Sequence, residues 1–94
     1  MNKTELAQSL ARRTGQTQAE ATAVVEAIFG AGSGIIASEL GSGREVTISG
    51  FGKFETRHRA AREGRNPRSG ATIQIAAKTL PAFKAAKGLR DRVG

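Results

Sequence analysis

The chain has 94 residues, with 15 Lys and Arg against 8 Asp and Glu for a net charge of +7. A chain of this size buries only about 60 to 65% of the surface that its unfolded form exposes, so it reads as one small domain, thinly stabilised alone and inclined to associate. With no Cys and one His it has no disulfide, thiolate metal site or thiol nucleophile, and too few ligands for an all-protein metal centre.

Asn2 followed by Glu5 fits a helix-capping arrangement, Leu6, Ala7, Leu10 and Ala11 then recur at helical spacing, and Gly15 supplies a stop, which predicts a first helix over 3–14. Thr17-Gln-Ala-Glu20 is a capping box, in which the Thr oxygen and the Glu carboxylate each satisfy a backbone N–H left open at a helix start. The apolar stripe Ala21, Val24, Val25, Ile28, Phe29, Ile35, Ile36, Leu40 then predicts one long helix over 18–40, ending at Gly41-Ser-Gly43. Gly30, Gly32 and Gly34 oppose it at about 1 kcal/mol each, so either close helix packing compensates or the helix bends.

Arg44 to Ser49 alternates Val46 and Ile48 with polar residues, as a half-buried strand does, and a second strand is predicted from Lys53 to about Ala61, with Phe54 inward and Lys53, Arg57 and Arg59 outward. Ile73 and Ile75 mark a third strand. Between these, Arg62 to Thr72 is read as a long connection with nothing to pack. After Pro81, the spacing of Phe83, Ala86, Leu89 and Val93 predicts a C-terminal helix over 81–94. The fold class is therefore α+β, in one domain: a helical base over 1–43, a three-stranded antiparallel sheet with an arm over 44–80, and a closing helix.

Charge follows this division. Residues 1–52 carry four basic and five acidic side chains, and residues 53–94 carry eleven and three. Within 53–68, Lys53, Arg57, Arg59, Arg62, Arg65 and Arg68 face only Glu55 and Glu63, and Arg predominates. Its weakly hydrated fork suits phosphate contacts and narrow minor grooves, so the partner read from charge is a nucleic acid, with an anionic membrane surface as the alternative. No apolar run approaches the roughly 18 residues of a membrane span, and Met-Asn-Lys-Thr-Glu-Leu lacks the order of a signal peptide, so a cytoplasmic location is expected. No nucleophile–base pair, acid pair or ligand cluster stands out, and neither catalytic residue, cofactor nor small-molecule substrate is assigned.

Three segments carry a resemblance: Gly50-Phe-Gly-Lys-Phe54, then Arg59-Ala-Ala-Arg-Glu-Gly-Arg-Asn-Pro-Arg-Ser-Gly70, then Pro81-Ala-Phe-Lys-Ala-Ala-Lys87. In them and in element order the chain closely resembles the bacterial histone-like HU family and its integration host factor relatives. The resemblance implies an intertwined homodimer with a helical base, a saddle of strands and two β-ribbon arms that embrace double-stranded DNA in the nucleoid. It implies that Phe51, Phe54 and Phe83, with Ile28 and Ile48, form the dimer core. It places Arg57, Arg59, Arg62, Arg65, Asn66 and Arg68 along the DNA-binding arm, Pro67 as a wedge between base steps, and Lys3, Lys87 and Arg90 against the phosphate backbone from the body. Bent, nicked or junction DNA is the expected substrate, bound with little sequence preference; a sequence-preferring bender and a polyanion- or membrane-surface adaptor are the alternatives. The chain departs from the family pattern in three places. The stretch between Thr17 and Gly50 is about four residues longer, implying an extra turn or a bulge in the second helix; Ala86 replaces a usual Gly; and Gln18 stands where many members carry Lys.

Overall fold

The computed structural model describes all 94 residues. The elements in order are α1 (Lys3–Thr14), α2 (Gln18–Phe29), α3 (Ile35–Gly41), β1 (Val46–Ile48), β2 (Gly52–Arg59), β3 (Arg62–Arg65), β4 (Thr72–Ile75), β5 (Lys78–Ala85) and α4 (Lys87–Val93), an α+β arrangement. They fall into two compact units, Met1–Ser42 and Gly43–Gly94.

In the helical unit the caps form as the sequence requires. Asn2 Oδ1 accepts the Glu5 N–H at 2.8 Å, and Gly15 ends α1 at φ 73°, a left-handed conformation that side-chain-bearing residues avoid. At α2 the box is reciprocal: Thr17 Oγ1 accepts the Glu20 N–H at 3.1 Å and Glu20 Oε1 accepts the Thr17 N–H at 3.0 Å. The Thr17 N–H first, and the Thr17 hydroxyl second, hold the Glu20 carboxyl below its ordinary pKa by favouring its charged form. Ala7, Ala21 and Val25 form a small core between α1 and α2, with Leu10 and Ala11 against it.

The expected single helix over 18–40 is two helices. The Gly30 N–H still donates to Glu26 O at 2.9 Å, but at ψ 132° its backbone leaves the helix, and Gly34, N-cap of α3, returns its N–H to Gly30 O at 3.0 Å. A Cβ on Gly34 would lie 2.5 Å from Gly30 N, and one on Gly30 2.6 Å from Glu26 O. Gly30 and Gly34 thus serve the close return of their own loop, and the longer stretch forms a break rather than an added turn.

In the second unit, β1-β2-β5 form an antiparallel sheet and β3-β4 a separate antiparallel ribbon. The β1–β2 turn needs a positive φ, supplied by Gly50 at 77°, and the Phe51 N–H closes it on Ile48 O at 2.9 Å. Val46 faces Phe54 and Ile48 faces Gly52; Phe54 faces Phe83, with ring centroids 4.9 Å apart. Gly52 has no room for a Cβ because the Phe83 ring covers it. The alternation assigned to β1 and β2 is the one observed.

The C-terminal helix begins at Lys87, not Pro81: Pro81 and Phe83 belong to β5, opposite Thr56 and Phe54. Proline is tolerated there because β5 is an edge strand, where N–H groups on the open side have no ladder partner. Ala86 caps α4 in extended backbone at φ −77°, which any residue adopts, and its N–H donates to Phe51 O at 2.9 Å; the replacement of a usual Gly is absorbed without strain.

Candidate nucleic-acid interface

The segment read as an unpacked connection is a ribbon. Arg62 faces Ile75, Glu63 faces Gln74, Gly64 faces Ile73 and Arg65 faces Thr72. By strand alternation Ile73, Ile75, Gly64 and Arg62 share one face, while Glu63, Gln74, Arg65 and Thr72 share the other. A Cβ on Gly64 would come within 2.8 Å of Ile75 Cδ1, so glycine leaves the space across which the two isoleucines lie. On the opposite face Gln74 Nε2 donates to Glu63 Oε1 at 3.4 Å. The packing of the arm is therefore supplied by Ile73 and Ile75, which the sequence pattern places in a strand without identifying its partner.

The tip is built by Asn66. Its N–H donates to Ala71 O and its own carbonyl accepts the Gly70 N–H, both at 2.8 Å, while Oδ1 accepts the Arg68 N–H at 2.9 Å and the Ser69 N–H at 3.4 Å. Ser69 Oγ accepts the Ala71 N–H at 3.3 Å, and Gly70 takes φ 72°. Pro67 starts the turn with its ring exposed, at a position where a preset φ suits the chain reversal. The side-chain oxygen of Asn66, expected on DNA, is thus committed to shaping the turn that presents Pro67.

The cations separate by partner. Arg59, Arg62, Arg65 and Arg68 are exposed and no carboxylate lies within salt-bridge distance of them. Arg57 differs, with Nε 3.6 Å from Glu55 Oε1. Lys3 is ion-paired with Glu26, Lys87 Nζ with Asp91, and Arg90 Nη1 donates to Ala85 O at 2.6 Å. Lys53 Nζ sits 3.2 Å from Glu55 and 3.7 Å from Glu45. Its hydrogen bond to Glu55, then the charge of Glu45, raises the Lys53 pKa, and the same bond is the main cause of the lowered Glu55 pKa.

Lys78 and Lys84 are the cations that sequence reasoning misses. Lys84 faces Lys53 and Lys78 faces Arg59, which puts all four on the sheet face opposite the Phe54–Phe83 pair. The period-2 count from Lys53 through Arg59 holds half of that signal; the other half is hidden when 81–94 is read as helix. The expected dimer-core side chains Ile48, Phe51 and Phe83 remain 46%, 46% and 43% exposed in the single chain, while Phe54 and Ile28 are half-buried.

The whole chain, residues 1–94, matches the profile of a family described as bacterial DNA-binding protein. It is 50% identical over 93 residues to DNA-binding protein HU-1 of Halalkalibacterium halodurans and 46% identical over 93 residues to DNA-binding protein HU of Staphylococcus aureus, covering 99% of both chains in each comparison. Among solved structures, Anabaena HU cocrystallised with DNA superposes with a TM-score of 0.87 at 41% identity, covering 100% of this chain and 98% of that one. HU from Thermotoga maritima superposes at 0.66 with 26% identity over 100% of both chains.

Proposed function

Since the chain belongs to the HU family of bacterial DNA-binding proteins, we propose that it is an architectural protein of the nucleoid that binds duplex DNA as a homodimer, with little sequence preference, and bends it. The observation that carries this reading is the arm: a two-stranded ribbon whose arginines have no acidic partner in the chain, ending in a turn that holds Pro67 outward. Arg62, Arg65 and Arg68 enter the minor groove and meet phosphates, and Pro67 wedges between base steps. Minor-groove wedging is the mode known for HU and integration host factor, and Pro67 takes that role through its place in the family motif.

The homodimer is supported by what one chain leaves uncovered. Its buried apolar residues are only Ala7, Ala21 and Val25, whereas Phe29, Ile35, Ile48, Phe51 and Phe83 are exposed. A second copy covering them supplies the core that a chain of this length lacks. Lys3, Lys87 and Arg90 contact the DNA flanks from the body, and a phosphate there displaces the chain's own partner.

FRET bending of linear, nicked and four-way-junction DNA across a salt series tests the reading. Bending by a dimer is expected, with log K falling against log salt by about 0.9 per neutralised phosphate. A monomeric species, or duplexes left straight at saturation, would overturn it; a preference above about 10³ for a selected site would instead make it a sequence-preferring bender. Binding to anionic vesicles with no change in any duplex would make it a surface adaptor.

A further inference from the structure

The β2–β5 ladder contains two directly opposed like-charge pairs, Lys53 with Lys84 and Arg59 with Lys78. Like charges directly opposite on one sheet face are destabilising, so each pair needs compensation or an external anion. The first is compensated within the chain: Glu55 and Glu45 both reach Lys53, at 3.2 and 3.7 Å. The second has nothing comparable, for neither Arg59 nor Lys78 has a carboxylate in reach.

Its position adds a second observation. Arg59 and Lys78 form the last rung of the sheet; pairing resumes at Arg62 and Ile75, three residues along on each strand, so the register carries through with no residue inserted on either side. The four residues passed over are Ala60, Ala61, Ala76 and Ala77. Both charged side chains are exposed, and on the arm side they adjoin only alanines, which neither screen nor neutralise them.

We propose that Arg59 and Lys78 together form a two-pronged phosphate clamp at the root of the arm, which holds one backbone phosphate of DNA between two side chains that repel each other in its absence. The clamp rests on the DNA-binding reading above and adds to it a residue, Lys78, and a fixed point from which the arm extends along the duplex. The Lys53–Lys84 pair, already neutralised, takes no part.

The test uses the full chain and a labelled linear duplex over a potassium chloride series, together with thermal unfolding of the free protein. A clamped phosphate contributes about 0.9 to the salt slope, and the dimer carries one clamp on each arm, about 1.8 in all. Either Arg59→Gln or Lys78→Gln is expected to remove most of that, the double variant little more, and Lys78→Arg to restore the slope. Free Lys78→Gln is expected to melt higher than the parent at low salt, with the gain gone near 1 M, where screening reaches about 3 Å. An unchanged slope for Lys78→Gln overturns the clamp, whether or not the melting point rises. The double variant Arg62→Ala/Arg65→Ala separates the two readings: if it lowers the slope while Lys78→Gln does not, only the clamp fails, and if neither lowers it, the arm reading fails as well.

Discussion

Three lysines of the body and four arginines of the arm differ in one respect that chain position alone does not reveal. Lys3, Lys53 and Lys87 each hold a carboxylate of their own chain, whereas Arg59, Arg62, Arg65 and Arg68 hold none. An exposed ion pair contributes about 0 to 1 kcal/mol, so the body pairs are no large source of stability. What they change is availability, since a phosphate reaching Lys87 competes with Asp91 while one reaching Arg62 competes only with water. The comparison teaches that a basic surface has two grades of site, and that only the unpaired grade gives up its full counterion share on binding.

The largest expected effect tests the unpaired grade directly. Arg62→Ala with Arg65→Ala removes two arginines from each arm of the dimer, so it should flatten the salt slope by up to about 3.6 and cost most of the affinity at moderate salt, as read by titration of a labelled duplex; a slope equal to the parent's would place the phosphates elsewhere. Next, Pro67→Ala should keep much of the affinity and lose bending in FRET, because it removes the ring without touching a charge; a duplex bent as before would defeat the wedge. Asn66→Ala should have a smaller effect on bending, since it removes the acceptor of the Arg68 and Ser69 N–H groups and loosens the tip by about 1 kcal/mol while leaving every arginine in place. Bending falls and the salt slope stays; loss of slope would show that Asn66 itself orders the phosphate contacts.

A body substitution sharpens the contrast from the other side. Thr17→Ala should cost about 1 kcal/mol of stability by thermal or urea unfolding without altering the salt slope. The Glu20 carboxyl is held below its unfolded value by Thr17, so its contribution is present above the unfolded pKa and is lost as the pH falls through the folded one. The parent should therefore lose stability on acidification through that window, and Thr17→Ala, which keeps the backbone N–H that is the larger cause and removes only the hydroxyl, should lose slightly less. The smallest effect is that of Asp91→Asn, which releases Lys87 and should raise both affinity and salt slope slightly; a decrease would show that the pair orients Lys87 toward DNA instead of restraining it.

What was legible in the sequence was local. The Asn2 cap, the Thr17–Glu20 box and the Gly15 stop each concern groups within a few residues, and each is found where the pattern placed it. The alternation of Val46, Ile48 and Phe54 was readable for the same reason, as one face of a strand needs no knowledge of its partner. Pro81-Ala-Phe83 failed because it satisfies two patterns: a proline opening a helix and a proline on a sheet edge look alike until the partner strand is known. The glycines at 30 and 34 weigh as a cost within a helix, and their use in a close loop return is invisible without the backbone of Gly30 and Glu26 in place.

The amino-acid order by itself determined where the first two helices start, which residues of β1 and β2 share a face, and that the positive charge concentrates beyond residue 52. Only the tertiary structure decided which cations are spent on carboxylates and which remain open. Neutralisation depends on distances of a few ångströms between side chains such as Lys3 and Glu26, and on a register that sets Lys78 against Arg59. Residues far apart along the chain acquire such distances only when the chain pairs with itself.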